Sequence, residues 1–288
     1  MKRKFIPVKF PNKDFQLVVR KNAYFSPSGQ LHSQFREIEI HYFTEGKGTY
    51  LINNKLYDVA GGSLLIIHRN ELHNIVSVGK SYPLKFYSIY FTAKTFDNFK
   101  DFKPYLLKNI FRCRPDFVHV LNMKENKAFE IDYLVRSMFG DYEKKEQAWK
   151  EALIVQLVRL VILANRAMSQ NPAKENKLRK KEDMQKVLDY IEKNILKELF
   201  VENIASEVGL SPNYLSFKFK RALGMNLKNY INARKINEAK KILERTPPEK
   251  IISIAYSLSF KDLSHFNHTF KKFAGLSPSS YRKLVLNA

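Results

Sequence analysis

The last third of this chain contains an internal repeat with a period of about fifty residues. Ile204-Ala205 recurs as Ile254-Ala255, and Phe219-Lys220 recurs as Phe270-Lys271. The offset is 50 before the turn and 51 after it, so the second copy holds one extra turn residue. A repeat of this length is typical of one supersecondary element used twice.

Each copy has the pattern of a helix, a tight turn and a second helix. In the first copy, Gly209 is suited to end the leading helix in a left-handed conformation. Ser211 and Pro212 then suit the N-cap and the first position of the following helix. Asp262 takes the capping role in the second copy, and a helix over about 227–243 bridges the two copies. The pattern predicts two helix-turn-helix units in tandem.

The outward faces of the two second helices supply candidate DNA contacts. Amide, hydroxyl and imidazole groups bind base edges in the major groove, whereas Lys and Arg pair with phosphates. We expect base contacts from Asn213, Ser216, Phe217, Leu263, Ser264, Asn267 and His268. We expect phosphate contacts from Lys218, Lys220, Arg221, Lys271 and Lys272. Two such helices, roughly 34 Å apart, would enter successive major grooves of double-stranded DNA.

The charge and the cysteine content set wider limits on the class of protein. A net charge of +22 favours a polyanionic partner. The excess is +10 in 1–120, +4 in 121–180 and +8 in 181–288, so charge alone does not locate the binding surface. A single cysteine, Cys113, excludes an intramolecular disulfide framework. Without a secretory leader or a long uninterrupted apolar run, we expect a cytoplasmic protein with no membrane contact.

The first part of the chain has the alternation of β-strands. Runs over 37–43, 48–52, 63–67 and 85–91, separated by turn signals, predict a barrel or a sandwich. From about residue 127 the period becomes helical, with an apolar stripe and a second stripe beside it. This width predicts a helix that contacts two surfaces, such as its own barrel and a partner subunit, and burial of both stripes within one monomer is the alternative. We assign the first stripe to dimerisation. The stripe is Leu153, Leu157, Leu160 and Ala164.

These patterns predict an α+β multidomain protein. We expect a barrel over 1–120, a helical dimerisation segment and linker over 121–182, and an all-α domain with two helix-turn-helix units over 183–288. The linker itself is placed at 169–182, where almost nothing is apolar.

The second unit resembles the signature of the AraC/XylS family, on residues 254–260 and 264–282. Residues 214–216, with Phe219-Lys220 and Gly224, resemble the first unit of the same family. The resemblance implies binding to specific promoter sequences and activation of transcription through contact with RNA polymerase. The sequence departs from the family at Ser259, where glycine is common. It also departs at Phe217 and His268, where Arg or Lys is common.

The β-rich region resembles the sensor half of that family, a cupin-like barrel, on residues 43–48, 59–67, 71–73 and 90–91. The resemblance implies a small-molecule effector, such as a sugar, bound near Phe86 and Ser88. Arg36 precedes a strand and suits an anionic or sugar ligand. Because His32, His41, His68 and His73 are scattered, we expect no metal. The sequence shows no Ser-His-Asp or Cys-His arrangement and no phosphate-binding glycine loop, so we expect no cofactor, no catalytic residue and no enzyme.

Two other functions stay open on the sequence alone. The chain would be a cupin metal enzyme with an accessory nucleic-acid module if the purified protein held stoichiometric metal. It would be a ligand-independent regulator, using its barrel for dimerisation, if no small molecule altered the melting temperature of the barrel.

Overall fold

The computed structural model describes residues 8–11, 14–28, 31–34, 36–97, 110, 117–123, 125–170, 182–245 and 249–286. Cys113 and most of the predicted linker at 169–182 lie outside these residues.

Antiparallel strands form the first half of the described chain. They make one sheet in the order β1-β7-β2-β5-β8 and a smaller one in the order β4-β3-β6. We call the two sheets together the barrel. The runs predicted as strands coincide with β2, β3, β5 and β7 and do not include β1, β4, β6 and β8. The strands are β1 Leu17–Tyr24, β2 Ile38–Glu45, β3 Lys47–Ile52, β4 Lys55–Ala60, β5 Ser63–Ile67, β6 His73–Val78, β7 Leu84–Phe91 and β8 Val120–Asn122.

Helices form the rest of the described chain, after a short 3-10 helix at Ala93–Phe96. The first two follow the barrel, and the others contain the repeat. They are α1 Glu125–Lys144, α2 Trp149–Gln170, α3 Glu182–Lys193, α4 Val201–Glu207, α5 Pro212–Leu223, α6 Leu227–Arg245, α7 Ile251–Ser257, α8 Leu263–Ala274 and α9 Pro278–Leu286.

The apolar stripe of α2 packs on the barrel of its own chain. Leu153, Leu157, Leu160 and Ala164 are each 0% exposed. They belong to one core cluster with strand residues such as Ile40. This corrects the predicted dimerisation role of the stripe, because these side chains already cover the barrel and leave no surface for a partner. The width of an apolar face does not reveal which surface covers it.

The same helix is long and apolar enough to span a membrane, over Trp149–Ser169. Length and composition alone are weak evidence, and 44% of that stretch is buried inside the protein. Its buried side contacts the barrel, which is the behaviour of a core helix.

An apolar cluster joins the barrel to the helices of the repeat. The barrel contributes side chains from the smaller sheet, including Leu56 on β4 and Val76 on β6, together with Leu72 just before β6. The helices contribute Val187, Leu188, Leu215, Phe219 and Tyr230. The first helix-turn-helix unit therefore packs against the smaller sheet.

Two turns of the barrel contact the bridging helix α6 through hydrogen bonds. Asn53 and Asn70 have positive φ angles of 53° and 61°, which asparagine tolerates better than most residues. The carbonyl of Asn53 accepts a hydrogen bond from the Tyr230 hydroxyl at 3.0 Å, and that of Asn70 accepts one from Asn237 Nδ2 at 2.9 Å. Asn70 Nδ2 donates to Glu244 Oε1 at 2.7 Å. The conformations of these two turns thus position part of the contact between the barrel and α6.

A buried arginine fixes α6 to α3. Arg234 is 1% exposed, and its Nη2 lies 2.7 Å from both carboxylate oxygens of Glu192. Burial lowers the pKa of Arg234, but the charge of Glu192 outweighs it and the pKa is raised. Because a buried cation is costly without a partner, this bidentate pair holds the two helices in one arrangement.

Candidate nucleic-acid interface and barrel cavity

The two helix-turn-helix units lie in the predicted register. The leading helices α4 and α7 begin fifty residues apart, and the second helices α5 and α8 begin 51 residues apart. The turn spans 208–211 in the first unit and 258–262 in the second. The extra turn residue inferred from the repeat is therefore confirmed.

Local capping explains why each second helix starts and stops where it does. The Ser211 hydroxyl accepts a hydrogen bond from the backbone N–H of Tyr214 at 3.3 Å, and Pro212 occupies the first turn. Asp262 accepts from the backbone N–H of His265 at 2.7 Å. Gly224 ends α5 and Gly275 ends α8, both in the left-handed conformation that glycine adopts without strain. The predicted N-caps are thus confirmed.

Buried aromatic residues anchor one face of each second helix. Phe219 on α5 packs edge-on against Tyr230 of α6, with ring centroids 5.4 Å apart. Phe266 and Phe270 on α8 are both 0% exposed and lie in the core of the second unit. Because one side of each helix is packed in the core, its opposite face is exposed to solvent.

Most of the predicted base-contacting residues lie on those open faces. Leu263 is the exception, because it is half-buried and packs against the core of the second unit. Its packing against the core argues against a base contact. Phe217 is 60% exposed. The exposed set is Asn213, Ser216, Phe217, Ser264, Asn267 and His268.

The predicted phosphate contacts are exposed with one exception. Lys220, Arg221, Lys271 and Lys272 are exposed near the C-terminal ends of α5 and α8. Lys218 is half-buried, and its Nζ lies 2.7 Å from Asp183 Oδ2 at the start of α3. The hydrogen bond with Asp183 raises the pKa of Lys218. A phosphate would have to compete with that carboxylate for Lys218.

Several exposed side chains near these faces were not among the predicted contacts. Tyr214 on α5 is 51% exposed, and Tyr256 on α7 is 57% exposed. His265 on α8 is exposed beside the cap. Tyr214 and His265 lie one position away from the inferred faces of α5 and α8, so a wider face would have included them, whereas Tyr256 lies on a leading helix for which no contact was predicted.

The turn of the second unit is strained at Ser259, where the sequence departs from the family's common glycine. Its φ angle is 54°, in the left-handed region where glycine is favoured, and Gly209 holds the same place in the first unit with φ 67°. The Ser259 hydroxyl donates to the carbonyl of Leu196 at 2.7 Å. This hydrogen bond joins the second turn to the segment after α3 and offsets part of the strain.

A cavity of about 50 Å³ lies inside the barrel between its two sheets. Phe86 and Ser88, the residues implied as effector contacts, both line it. Arg36 does not, because its guanidinium donates to the carbonyl of Leu284 in α9 at 3.1 Å. The remaining walls come from Asn22, Tyr24, Ser28, His32, Glu39, His41, Tyr50, His73, Asn74, Ile75 and Tyr90.

A buried carboxylate with two histidines dominates the chemistry of this cavity. Glu39 Oε2 lies 3.1 Å from His41 Nε2, and Glu39 Oε1 lies 3.3 Å from His73 Nε2. Burial raises the pKa of Glu39, but His73 and His41 outweigh it and hold the pKa well below its usual value. Burial lowers the pKa of His41, whereas the charge of Glu39 overcomes burial and raises that of His73. The carboxylate is therefore charged and is stabilised by both rings.

The expectation that the histidines lie apart is wrong for three of the four. His32 and His73 form an isolated antiparallel bridge with ring centroids 4.2 Å apart, and His41 bonds to the same carboxylate as His73. His68 lies beside Phe117 instead, and burial lowers its pKa to about 4. Strand pairing brings the cluster together. The spacing Glu39-x-His41, which puts both side chains on one face of β2, was the available signal.

The barrel cavity and the pair of helix-turn-helix units together define a class of protein. A barrel with an interior cavity, joined to two capped helix-turn-helix units with open polar faces, is the architecture of a ligand-binding transcriptional regulator. Residues 29–157 match the AraC-like ligand binding domain, and residues 204–284 match a helix-turn-helix domain. The chain belongs to the AraC family of transcriptional regulators.

Three relatives with named roles are similar in sequence to this chain, two over most of its length and one over about a third of it. The melibiose operon regulatory protein of Escherichia coli is 23% identical over 269 residues, covering 90% of this chain and 84% of that protein. The lactose operon transcription activator of Staphylococcus xylosus is 24% identical over 257 residues, covering 88% and 86%. The HTH-type transcriptional activator AarP of Providencia stuartii is 36% identical over 96 residues, covering 33% and 70%.

Proposed function

We propose that this regulator activates transcription by binding a specific sequence in double-stranded promoter DNA and contacting RNA polymerase. The observation that carries the proposal is the pair of capped helices α5 and α8. Each is anchored by buried aromatic side chains and presents exposed amide, hydroxyl and basic groups. Such groups bind base edges and phosphates in the major groove.

We propose a sugar as the small-molecule effector. The support is the naming of two relatives for melibiose and lactose operons, together with the polar and aromatic lining of the barrel cavity. Phe86 and Ser88 would contact the sugar, and the barrel would carry out no enzymatic step. Aromatic faces and hydrogen-bonding groups together suit a sugar ring.

We propose a cytoplasmic homodimer whose interface differs from the stripe predicted by the sequence. Phe129 and Tyr133 on α1 are 78% and 70% exposed, and Val155 on α2 is 63% exposed. Large apolar side chains exposed on neighbouring helices are suited to a second copy of the chain. Sedimentation of the wild type and of a Phe129→Ser/Tyr133→Ser variant tests this interface.

The decisive experiment for DNA binding uses the full chain and labelled DNA that includes the region upstream of its own gene. Fluorescence anisotropy at moderate salt should give binding at least ~10³-fold tighter to the promoter than to random DNA. A double variant, Asn213→Ala/Asn267→Ala, should lose that preference. Lys144→Ala, which removes an exposed charge at the end of α1, is the matched control. Equal affinity for promoter and random DNA would contradict the proposal.

A ligand-independent regulator is the second candidate, and the cavity volume favours it. Small-molecule sites span about 300–1,000 Å³, whereas this cavity is about 50 Å³. An effector of sugar size would therefore have to widen the cavity. Thermal unfolding with a panel of mono- and disaccharides separates the two, since only an effector raises the melting temperature.

A further inference from the structure

The barrel cavity brings together side chains from separate segments that suit a metal ion. Glu39 is on β2, His73 is the first residue of β6, and His32 pairs with His73 through the backbone. One ligand atom from each lies within 4.8 Å of the others. Two imidazoles and one carboxylate are a ligand set that Zn²⁺ and related ions accept, with a further position left for water.

Two atoms of the cluster are buried and have no hydrogen-bond partner among the described residues other than each other. They are Glu39 Oε1 and His73 Nε2. They lie 3.3 Å apart, close enough for charge attraction. Bonds of about 2.0–2.1 Å to a tetrahedral zinc ion place neighbouring ligand atoms about 3.3–3.4 Å apart. The two atoms are thus already spaced as neighbouring ligands.

The surroundings orient these atoms as they would around an ion. His73 Nδ1 lies 2.9 Å from the carbonyl of Glu71 and donates to it, which directs Nε2 towards Glu39. Glu39 Oε2 is held by His41 Nε2 at 3.1 Å, so Oε1 stays available. Metal-binding histidines almost always donate their second ring N–H to a carbonyl or carboxylate. His41 is a positioning residue here.

The volume of the cavity fits an ion better than an organic molecule. About 50 Å³ holds an ion with one or two waters and falls well short of a small-molecule pocket. Tyr24, Tyr90 and Asn22 also line the cavity.

We propose that His32, Glu39 and His73 form a binding site for a divalent transition-metal ion of the class that imidazole and carboxylate bind together. The site lies inside the barrel and does not depend on the proposed sugar or on DNA binding. His32, which is half-buried, moves the final short distance to complete the set.

The test uses the full chain, stripped with a chelator and dialysed against Zn²⁺. Elemental analysis should give about one equivalent of tightly bound zinc, and thermal unfolding should shift upward on loading. Glu39→Gln and His32→Gln should each weaken zinc binding by at least ~10-fold. His32→Gln changes a half-buried side chain, so it tests the site even if the buried Glu39→Gln variant misfolds. Co²⁺ loading provides a second readout, because the visible spectrum of the bound ion reports nitrogen and oxygen ligands.

His268→Gln, a change on the exposed face of α8, is the matched control and should bind zinc like the wild type. Binding that is lost with His268→Gln but kept with His32→Gln would assign the zinc to surface histidines and overturn the proposal. No stoichiometric zinc in the wild type would overturn it as well. Promoter binding by the metal-free protein is measured in parallel, so failure of the regulator and failure of the metal site are distinguished.

Discussion

At the scale of single residues, neighbouring lysines on one helix have different surroundings. Lys220 is exposed on α5, whereas Lys218 is already bound to Asp183. Two lysines that look equivalent in sequence are therefore unequal as candidates for DNA contact.

We predict that Lys220→Ala weakens binding to all DNA sequences alike and lowers the salt dependence by about one charge. Lys218→Ala should have a smaller effect, because its ammonium must leave Asp183 before it binds a phosphate. Anisotropy titrations at several salt concentrations measure both, with Lys144→Ala as control. A change in base preference with an unchanged salt slope would show that Lys220 contacts bases instead.

Unlike Lys220, Asn267 and His268 should affect the preference for particular bases and not the affinity for all DNA sequences alike. Each is exposed on α8, and an amide or imidazole that bonds to a base edge discriminates between bases. Asn267→Ala and His268→Ala should each reduce the preference for the best sequence by about 1–3 kcal/mol. Selection from a randomised DNA pool measures this. Unaltered selected sequences would remove these residues from the base contacts.

The left-handed turn at Ser259 gives a prediction about stability. Ser259→Val places a β-branched side chain at φ 54° and removes the hydrogen bond to Leu196, so it should cost about 1–3 kcal/mol. Ser259→Gly relieves the strain but loses the same bond, so its effect should lie within about 1 kcal/mol of zero. Urea unfolding measures both. Equal stability of the two variants would mean that the turn carries no strain.

At the scale of elements, short capping signals made the second helices predictable. Ser211, Asp262, Gly224 and Gly275 act on their own helix ends, so sequence alone located α5 and α8. The cavity was less accessible to such reasoning. Glu39 and His73 meet only because two sheets pack together, and no local rule specifies that packing. The predicted dimerisation role of the α2 stripe was wrong for a related reason. Periodicity identifies an apolar face of a helix but does not say which surface packs against that face.

Removing the cap of α8 should loosen that helix. Asp262→Ala leaves the backbone N–H of His265 without its acceptor and should cost about 1 kcal/mol of stability. It should also weaken promoter binding, because the first turn of α8 carries Ser264. Asp262→Asn keeps an acceptor and serves as the control. If Asp262→Ala and Asp262→Asn unfold at the same urea concentration, the cap does not stabilise α8.

At the scale of the whole molecule, a buried lysine lies between the barrel and the bridging helix. Lys240 Nζ donates to Ser33 Oγ at 3.2 Å and lies 5.8 Å from the ring of Tyr281. Burial lowers the pKa of Lys240 to about 8, and the charge of Glu244 opposes this only in part. Folding with a charged Lys240 is therefore penalised.

Because the pKa in the folded protein lies below that in the unfolded chain, the unfolded chain binds more protons between the two values. The free energy of unfolding should then rise with pH from about 8 to about 10.5, by on the order of 3 kcal/mol from this group. Lys240→Met should remove that rise and be more stable near pH 7. Urea unfolding of both proteins across this range tests it. Parallel pH curves for the two would exclude Lys240 as the source.

The strand β6 borders both the barrel cavity and the apolar cluster shared with α5, and this has a thermodynamic consequence. Its first residue, His73, lines the barrel cavity, while Val76 on the same strand lies in the apolar cluster shared with α5. An occupant of the cavity that shifts β6 would therefore change the free energy of the contact with α5, one of the two helices that we propose to bind DNA. Linkage is reciprocal: if cavity occupancy alters the affinity for promoter DNA by some factor, the promoter alters the affinity of the cavity by the same factor. Measured occupancy of the barrel would then report, without any label on the DNA, whether the protein is on its operator.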